Sequence, residues 1–258
     1  MSWLPDLERG RRFVRQQAGL DPLLVAVTGA HYYGFPSPDS DLDLKGVHEA
    51  PVDRILSLSP PPDTVQASGT FEGQEMDLTT HELAFALRLL LKGNGNILER
   101  LASPYQLFSS PEQGRLVQLG KKAAARCFYG HYRGFFAKKR KECLESRTVK
   151  GVLYAYRSAL TGIHLLRTGE CIGDVTQLAP IYGFSEVERL VASKRAGTEK
   201  GEIDSPERAG PDFDRLEQLL IRSHERCELP DTPPIEAEAS LFLVSLRRAR
   251  LADHEPGY

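Results

Sequence analysis

Residues 41–48 read D-L-D-L-K-G-V-H, and no other stretch restricts the fold as tightly. Side chains alternate along an extended chain, so Asp41, Asp43 and Lys45 share one side and Leu42, Leu44 and Gly46 the other. Such a strand is half-buried, with one face in a core and the other carrying two neighbouring carboxylates. A carboxylate pair at i and i+2 can grip a hard divalent cation such as Mg²⁺ or Mn²⁺. By itself a D-x-D pair is more often a solvated strand face or a turn. Its weight comes from what surrounds it.

A β-branched run, Leu23–Thr28, reads as a buried strand that ends at Gly29. A short helical turn is expected next, then a turn-rich loop through Ser40 containing Gly34, Pro36, Pro38 and Asp39. Beyond the rigid Pro60-Pro61-Pro62-Asp63 connector, Val65–Phe71 and Gln74–Thr79 read as strands joined at Glu72-Gly73. In the second of these, Met76 and Leu78 should face the core and leave Asp77 on the surface that carries Asp41 and Asp43. A third carboxylate there completes the ligand set of a two-metal site, whose ions sit ~3.5–4 Å apart and clamp the oxygens of a phosphoryl transfer. Gly29, lacking a Cβ, lets the backbone approach a triphosphate, whose charge favours a helix N-terminus.

The rest of the chain is read more coarsely. Residues 5–18 and Thr80–Lys92 have helical spacing, the latter stopped by Gly93 and Gly95. Beyond about residue 110, helical patterns dominate: 112–127, 128–144, 149–168, 185–195, 212–227 and 235–252. Ala196–Pro211 is polar and glycine-rich, either a mobile loop or a substrate-facing lid. The expected fold class is α+β, an α/β domain over residues 1–110 followed by an all-helical domain over 111–258. At 258 residues and a net charge of −2, nucleic-acid binding would have to come from local patches. The segment Lys121–Lys141 is the most basic, its lysines and arginines interleaved with Phe128, Tyr129, Tyr132, Phe135 and Phe136. Its aromatics could offer stacking platforms for bases, or simply be helix core with the lysines as the wet side. The four cysteines make no C-x-x-C pair, and no apolar run reaches the ~20 residues that cross a bilayer. A soluble, untargeted, cytoplasmic protein is expected.

Further polar residues carry two readings each. Asn94, Asn96 and Glu99 mark a helix start, with Asn96 as cap and Glu99 closing a capping box, or else they contribute to nucleotide binding. Lys150, Tyr154 and Arg157 recur on one helix face, either a solvated cationic face or a set of phosphate contacts. Lys194 is a phosphate candidate, or half of a surface pair with Glu199. His31 and His81 are expected to make local hydrogen bonds, and Tyr32 and Tyr33 to pack or to stack on a base.

These segments together resemble a family of predicted nucleotidyltransferases associated with RNA repair, the RlaP group of the DNA polymerase β superfamily. The resemblance begins at V-T-G-A-H-Y-Y-G-F-P-S-P-D-S-D-L-D-L-K-G-V and continues through Lys92-Gly93-Asn94-Gly95-Asn96 with Glu99, Ser103 and Pro104. Lys150, Tyr154 and Arg157, then Leu178-Ala179-Pro180 and Lys194 with Glu199, extend it over roughly residues 22 to 200. It implies a polymerase-β-type domain with a mixed sheet, and a helical domain that binds nucleotide or RNA. It also implies transfer of a nucleoside monophosphate from an NTP to an RNA end, such as a tRNA, with pyrophosphate released. Two Mg²⁺ or Mn²⁺ ions would be held by Asp41, Asp43 and Asp77. Gly29, Ala30, Ser40, Asn96, Lys150, Tyr154, Arg157 and Lys194 would be the nucleotide contacts, in a pathway that also uses an RNA ligase. Ala30 departs from the superfamily, where a serine hydroxyl usually follows the glycine, and leaves only the backbone N–H. Transfer to a protein or a small molecule, and a catalytically inert RNA- or partner-binding module, are the alternatives.

Overall fold

The computed structural model describes residues 4–197 and 209–254. The chain opens with α1 (Leu7–Arg15), β1 (Asp21–Val27), the one-turn α2 (Gly29–Tyr32), β2 (Leu42–Glu49) and the one-turn α3 (Val52–Ile55). It continues through β3 (Thr64–Phe71), β4 (Gln74–Glu82), α4 (Leu83–Leu91), α5 (Gly95–Ala102) and α6 (Pro111–Lys122). The helices α7 (Phe128–Ser146), α8 (Val149–Thr168), α9 (Val175–Tyr182), α10 (Glu186–Ala196), α11 (Gly210–Glu225) and α12 (Glu236–His254) complete it.

The strands form one sheet in the order β1-β2-β4-β3. β1 and β3 run antiparallel to their neighbours, and β2 and β4 pair in parallel, so the sheet is mixed and the fold class is α+β. The parallel pair follows from the connection. Chain leaving β2 returns through α3 and the proline run to β3, and a tight hairpin then points β4 the same way as β2. Glu72 and Gly73 turn that hairpin with φ of 49° and 78°, as a two-residue turn between twisted strands demands.

β4 runs three residues beyond the expected Thr79, and α4 starts at Leu83 rather than Thr80. Parallel pairing with β2 carries the strand on as far as His48 opposite Glu82. The Glu82 carboxylate then accepts the Ala84 N–H at 2.7 Å and caps the helix. The first helix is shorter than 5–18, because Asp6 caps it by accepting the Arg9 N–H. Most of the Ala196–Pro211 loop, and Glu199 with it, lies outside the described residues.

Three apolar clusters build the interior. Leu42, Leu44, Met76 and Leu78 cover one sheet face together with Phe13 and Val14 of α1. Leu23, Leu24 and Val47 pack with α4 and α5, and also with Leu116 of α6 and Ile235 and Phe242 from the C-terminal end. Ala30, Tyr32, Tyr33 and Phe35 belong to the cluster formed by α7 to α11. Apolar contact therefore runs across residue 110. Two strand-end carboxylates make the same crossing, since Arg250 of α12 donates to Glu49 at 2.9 Å and Arg247 to Glu82 at 3.0 Å.

Candidate active site

The strand pairing aligns the acidic residues. Asp43 of β2 lies opposite Asp77 of β4, while their neighbours Leu42, Leu44, Met76 and Leu78 are buried on the other face. Two residues back on each chain are Asp41 and Glu75, which are hydrogen-bonded to each other. Burial and the Glu75 contact push the Asp41 carboxyl above its ordinary pKa, with Lys150 opposing. Burial also raises Asp43, and the charges of Asp77 and Asp41 add to that against Lys45 and Lys150. Glu75 was not anticipated. The same i, i+2 rule that joins Asp41 to Asp43 joins Glu75 to Asp77 and would have found it.

Lys45, next along the face, donates from Nζ to Asp77 Oδ2 at 3.1 Å and to Thr79 Oγ1 at 3.2 Å. Among the described residues, no three His, Cys, Asp or Glu side chains already converge closely enough to hold an ion. The carboxylates share a face, and Lys45 bridges part of it.

Gly29 sits against this face with φ of +61°. A Cβ there would fall 1.7 Å from Asp43 Oδ2, so only glycine permits the approach. The Thr28 N–H donates to the Asp43 carbonyl at 2.8 Å and locks β1 to β2 at this level. The Ala30 methyl is buried among Tyr33, Phe35 and the helical core, so only its backbone could meet a phosphate.

The helical face expected from Lys150, Tyr154 and Arg157 divides. Lys150, in the first turn of α8, lies close enough for its charge to act on Asp41 and Asp43. Tyr154 packs edge-on to Tyr33 and Phe35, with ring centroids at 5.7 and 5.5 Å. Arg157 is not on a solvated face. It is 2% exposed, donates to Glu99 Oε1 at 2.6 Å and lies 3.7 Å above the Tyr33 ring. Burial opposes its charge, but Glu99 together with Tyr33, Tyr132 and Tyr154 more than offsets that and holds the pKa up. The Tyr33 hydroxyl donates to the other Glu99 oxygen at 3.0 Å. The reason is that α8 is packed by α7, α9, α10 and α11, which leaves little of it to solvent.

Lys194 and Ser40 also differ from expectation. Lys194 is 1% exposed and donates from Nζ to Ser37 Oγ at 2.9 Å and Ser40 Oγ at 3.4 Å. The Ser37 N–H donates to Ser40 Oγ at 2.9 Å. Together they pin from below the loop that delivers Asp41. They are support for the site, with both hydroxyls already engaged.

The cap of α5 is Asn94, whose Oδ1 accepts the N–H groups of Asn96 and Ile97. Asn96 is exposed in the first turn, and Glu99 is taken up by Arg157 rather than by a capping box. Ser103 donates to the Val27 carbonyl at 2.7 Å, and Arg100 to the Gly46 carbonyl at 2.7 Å. The segment from Lys92 to Ser103 thus fastens α5 to the sheet beside the carboxylates. In the basic segment, Phe128, Tyr132 and Phe136 are core, as the plainer reading expected, and Lys122, Lys138, Lys139 and Arg140 pair with carboxylates. Phe135 remains partly exposed. His81 bonds Thr64 at 3.0 Å, and burial, with the Arg100 charge second, lowers its pKa to about 4.

A mixed sheet with an acidic face abutting a glycine-led helical turn, backed by helices, is the frame that the polymerase-β resemblance implied. The chain belongs to the RNA repair pathway DNA polymerase beta family, RlaP, whose model matches residues 11–245. It is 27% identical over 222 residues to the uncharacterized protein MJ0002 of Methanocaldococcus jannaschii, covering 82% of this chain and 88% of that one. It is also 27% identical to the uncharacterized protein YcgL of Bacillus subtilis over 146 residues, 55% of each chain. A nucleotidyltransferase-like protein from Exiguobacterium sibiricum aligns over 96% of this chain and 90% of that one, with 12% identity and a TM-score of 0.32. No described helix is long and apolar enough to cross a membrane.

Proposed function

We propose that this chain transfers a nucleoside monophosphate from an NTP to an RNA end, with two Mg²⁺ or Mn²⁺ ions held by Asp41, Asp43 and Asp77. The observation that carries the reading is the register of Asp43 against Asp77 on parallel strands, with Gly29 pressed against Asp43. Family membership points to nucleotidyl transfer in RNA repair. The donor set fits hard cations: it is all carboxylate oxygen, and Asp41 and Asp43 are raised in pKa first by burial and then by the neighbouring carboxylates. Bound there, such ions would supply charge neutralisation at the phosphates and acidify the attacking hydroxyl.

The chain's own residues do the rest. Asp43 of β2, Asp41 just before that strand and Asp77 of β4 would hold the ions. Lys150, whose charge acts on Asp41 and Asp43, would set positive charge near the phosphates. Gly29 and the Ala30 N–H let the backbone approach the triphosphate. Lys194, Ser37 and Ser40 hold the loop before Asp41, and the Glu99–Arg157–Tyr33 network fixes α5 and α8 behind the site. The acceptor oxygen bonds to the α-phosphorus as its proton passes to solvent water. The bond from that phosphorus to the bridging oxygen breaks, and pyrophosphate leaves with the electron pair. An end completed in this way is a substrate for an RNA ligase acting in the same pathway.

The test is incubation with Mg²⁺ or Mn²⁺, each α-labelled NTP and a mixed tRNA pool, alongside Asp41→Asn and Asp77→Asn. Label entering RNA with wild type and neither variant supports the reading. Label on protein or on a small acceptor overturns the choice of acceptor. No label and no pyrophosphate from folded protein leaves the inert binding module.

A further inference from the structure

A cavity of about 310 Å³ opens on the sheet face that carries the carboxylates. Its floor includes Lys45 and Thr79, and its walls include Asn96 of α5 and Phe135 of α7. Lys45 and Thr79 follow Asp43 and Asp77 by two residues on their strands, which is about 7 Å along the sheet. That is roughly the reach from an α-phosphate across a ribose to its base. We infer that this cavity seats the nucleoside of the NTP, its base on the Phe135 ring and its edge against the Asn96 amide. The inference rests on the nucleotidyl-transfer reading above and adds where the nucleotide's specificity is read.

Three observations select this occupant. Phe135 is half-buried and braced, parallel to His131 with centroids 6.0 Å apart and flanked by the Lys139 and Arg157 cations at 5.4 and 5.5 Å. A fixed aromatic ring lining a cavity is a stacking platform for a flat group. The Asn96 backbone is engaged, its N–H with Asn94 and its carbonyl with Arg100, whereas among the described residues its side-chain amide has no partner. That amide presents one donor side and one acceptor, the complement of a base edge. The cations at the cavity are committed: Lys45 to Asp77, and Arg100 to the carbonyls of Gly46 and Asn96. Glu99 lines it too, so the cavity is ill-suited to phosphates. The triphosphate would lie against Gly29 and Lys150, neither of which lines the cavity. A larger hollow of about 710 Å³ lies along α9 and α10, and no residue of the sheet lines it.

The test is calorimetric titration of wild type, Phe135→Ala, Phe135→Leu and Asn96→Ala with Mg²⁺ and the α,β-methylene analogue of each NTP. Inorganic triphosphate is titrated in parallel, and melting temperatures confirm that each variant is folded. The expected result is an NTP Kd weakened about 10- to 100-fold in Phe135→Ala. Phe135→Leu, which keeps the bulk but loses the ring, should weaken it less, and Asn96→Ala should narrow the preference among the four bases. Triphosphate binding should be unchanged throughout. An NTP Kd unchanged in all three variants overturns the assignment while leaving the proposed reaction standing. Wild type that binds no NTP with Mg²⁺ or Mn²⁺ overturns both.

Discussion

Gly29 and Asp43 are in contact to the point that no side chain fits between them, and this makes Gly29 the most sensitive position outside the carboxylates. Gly29→Ala adds a Cβ 1.7 Å from Asp43 Oδ2 at a φ of +61°. The left-handed backbone alone costs about 1–2 kcal/mol in an alanine, and the clash adds to it. Denaturant unfolding should show a loss of about 2 kcal/mol or more, and nucleotidyl transfer should be abolished. Asp43→Asn should separate stability from activity. A carboxyl whose folded pKa is raised favours folding below its unfolded pKa and loses that advantage as pH rises through the folded value. At pH 7 the ionised Asp43 is therefore a burden, and the Asn variant should melt higher while being inactive. The gap should close as pH falls below about 4. A variant that melts lower at pH 7 would show that the carboxylate is already compensated.

At the scale of elements, α8 has two ends with different tasks. Its first turn brings Lys150 to the carboxylates, and its middle buries Arg157 against Glu99 of α5. Glu99→Gln or Arg157→Met strands one charge in the interior and should cost about 3–5 kcal/mol in unfolding measurements. The double variant Glu99→Leu with Arg157→Met should recover most of that. If Arg157 were instead a phosphate ligand, the single variant would stay stable and lose NTP affinity. Helical spacing put Lys150, Tyr154 and Arg157 on one face correctly, but spacing cannot say which part of a face another element covers. Lys194 shows the same limit: its sequence resembles an exposed helix end, yet the loop before Asp41 lies over it.

For the whole molecule, the shared interior predicts that residues 1–110 will not fold alone. Cutting there exposes Leu23, Leu24 and Val47 to water and leaves Glu49 and Glu82 without their arginines. The fragment should lack a cooperative melt and should bind hydrophobic dyes. Acid should destabilise the intact chain by another route. Burial lowers the pKa of His48, His81, His131 and His164, so the unfolded chain binds protons first. Their stability contribution is complete above about 6.5 and is lost as pH falls, towards about 4 for His81. The raised carboxyls of Asp41 and Asp43 oppose this near the lower end. Thermal melts from pH 7 to 5 should show falling stability, with a shallower slope in His81→Gln.

Local patterning determined the strands, the acidic face, the glycine beside it and the helical second half. Those features depend only on alternation, on turn chemistry and on which residues tolerate a positive φ, all of which operate within a few residues. The third carboxylate was legible for the same reason, since Met76 and Leu78 fix the phase of β4, and Glu75 could have been read the same way. Tertiary structure alone decided that Arg157, Lys194 and Ser40 are internal supports, that α12 closes both strand ends, and that Phe135 and Asn96 meet across one cavity. Charge and burial at those positions depend on partners tens to hundreds of residues away. A sequence read locally shows that a cation is present. It does not show whether a carboxylate, a hydroxyl or solvent faces it.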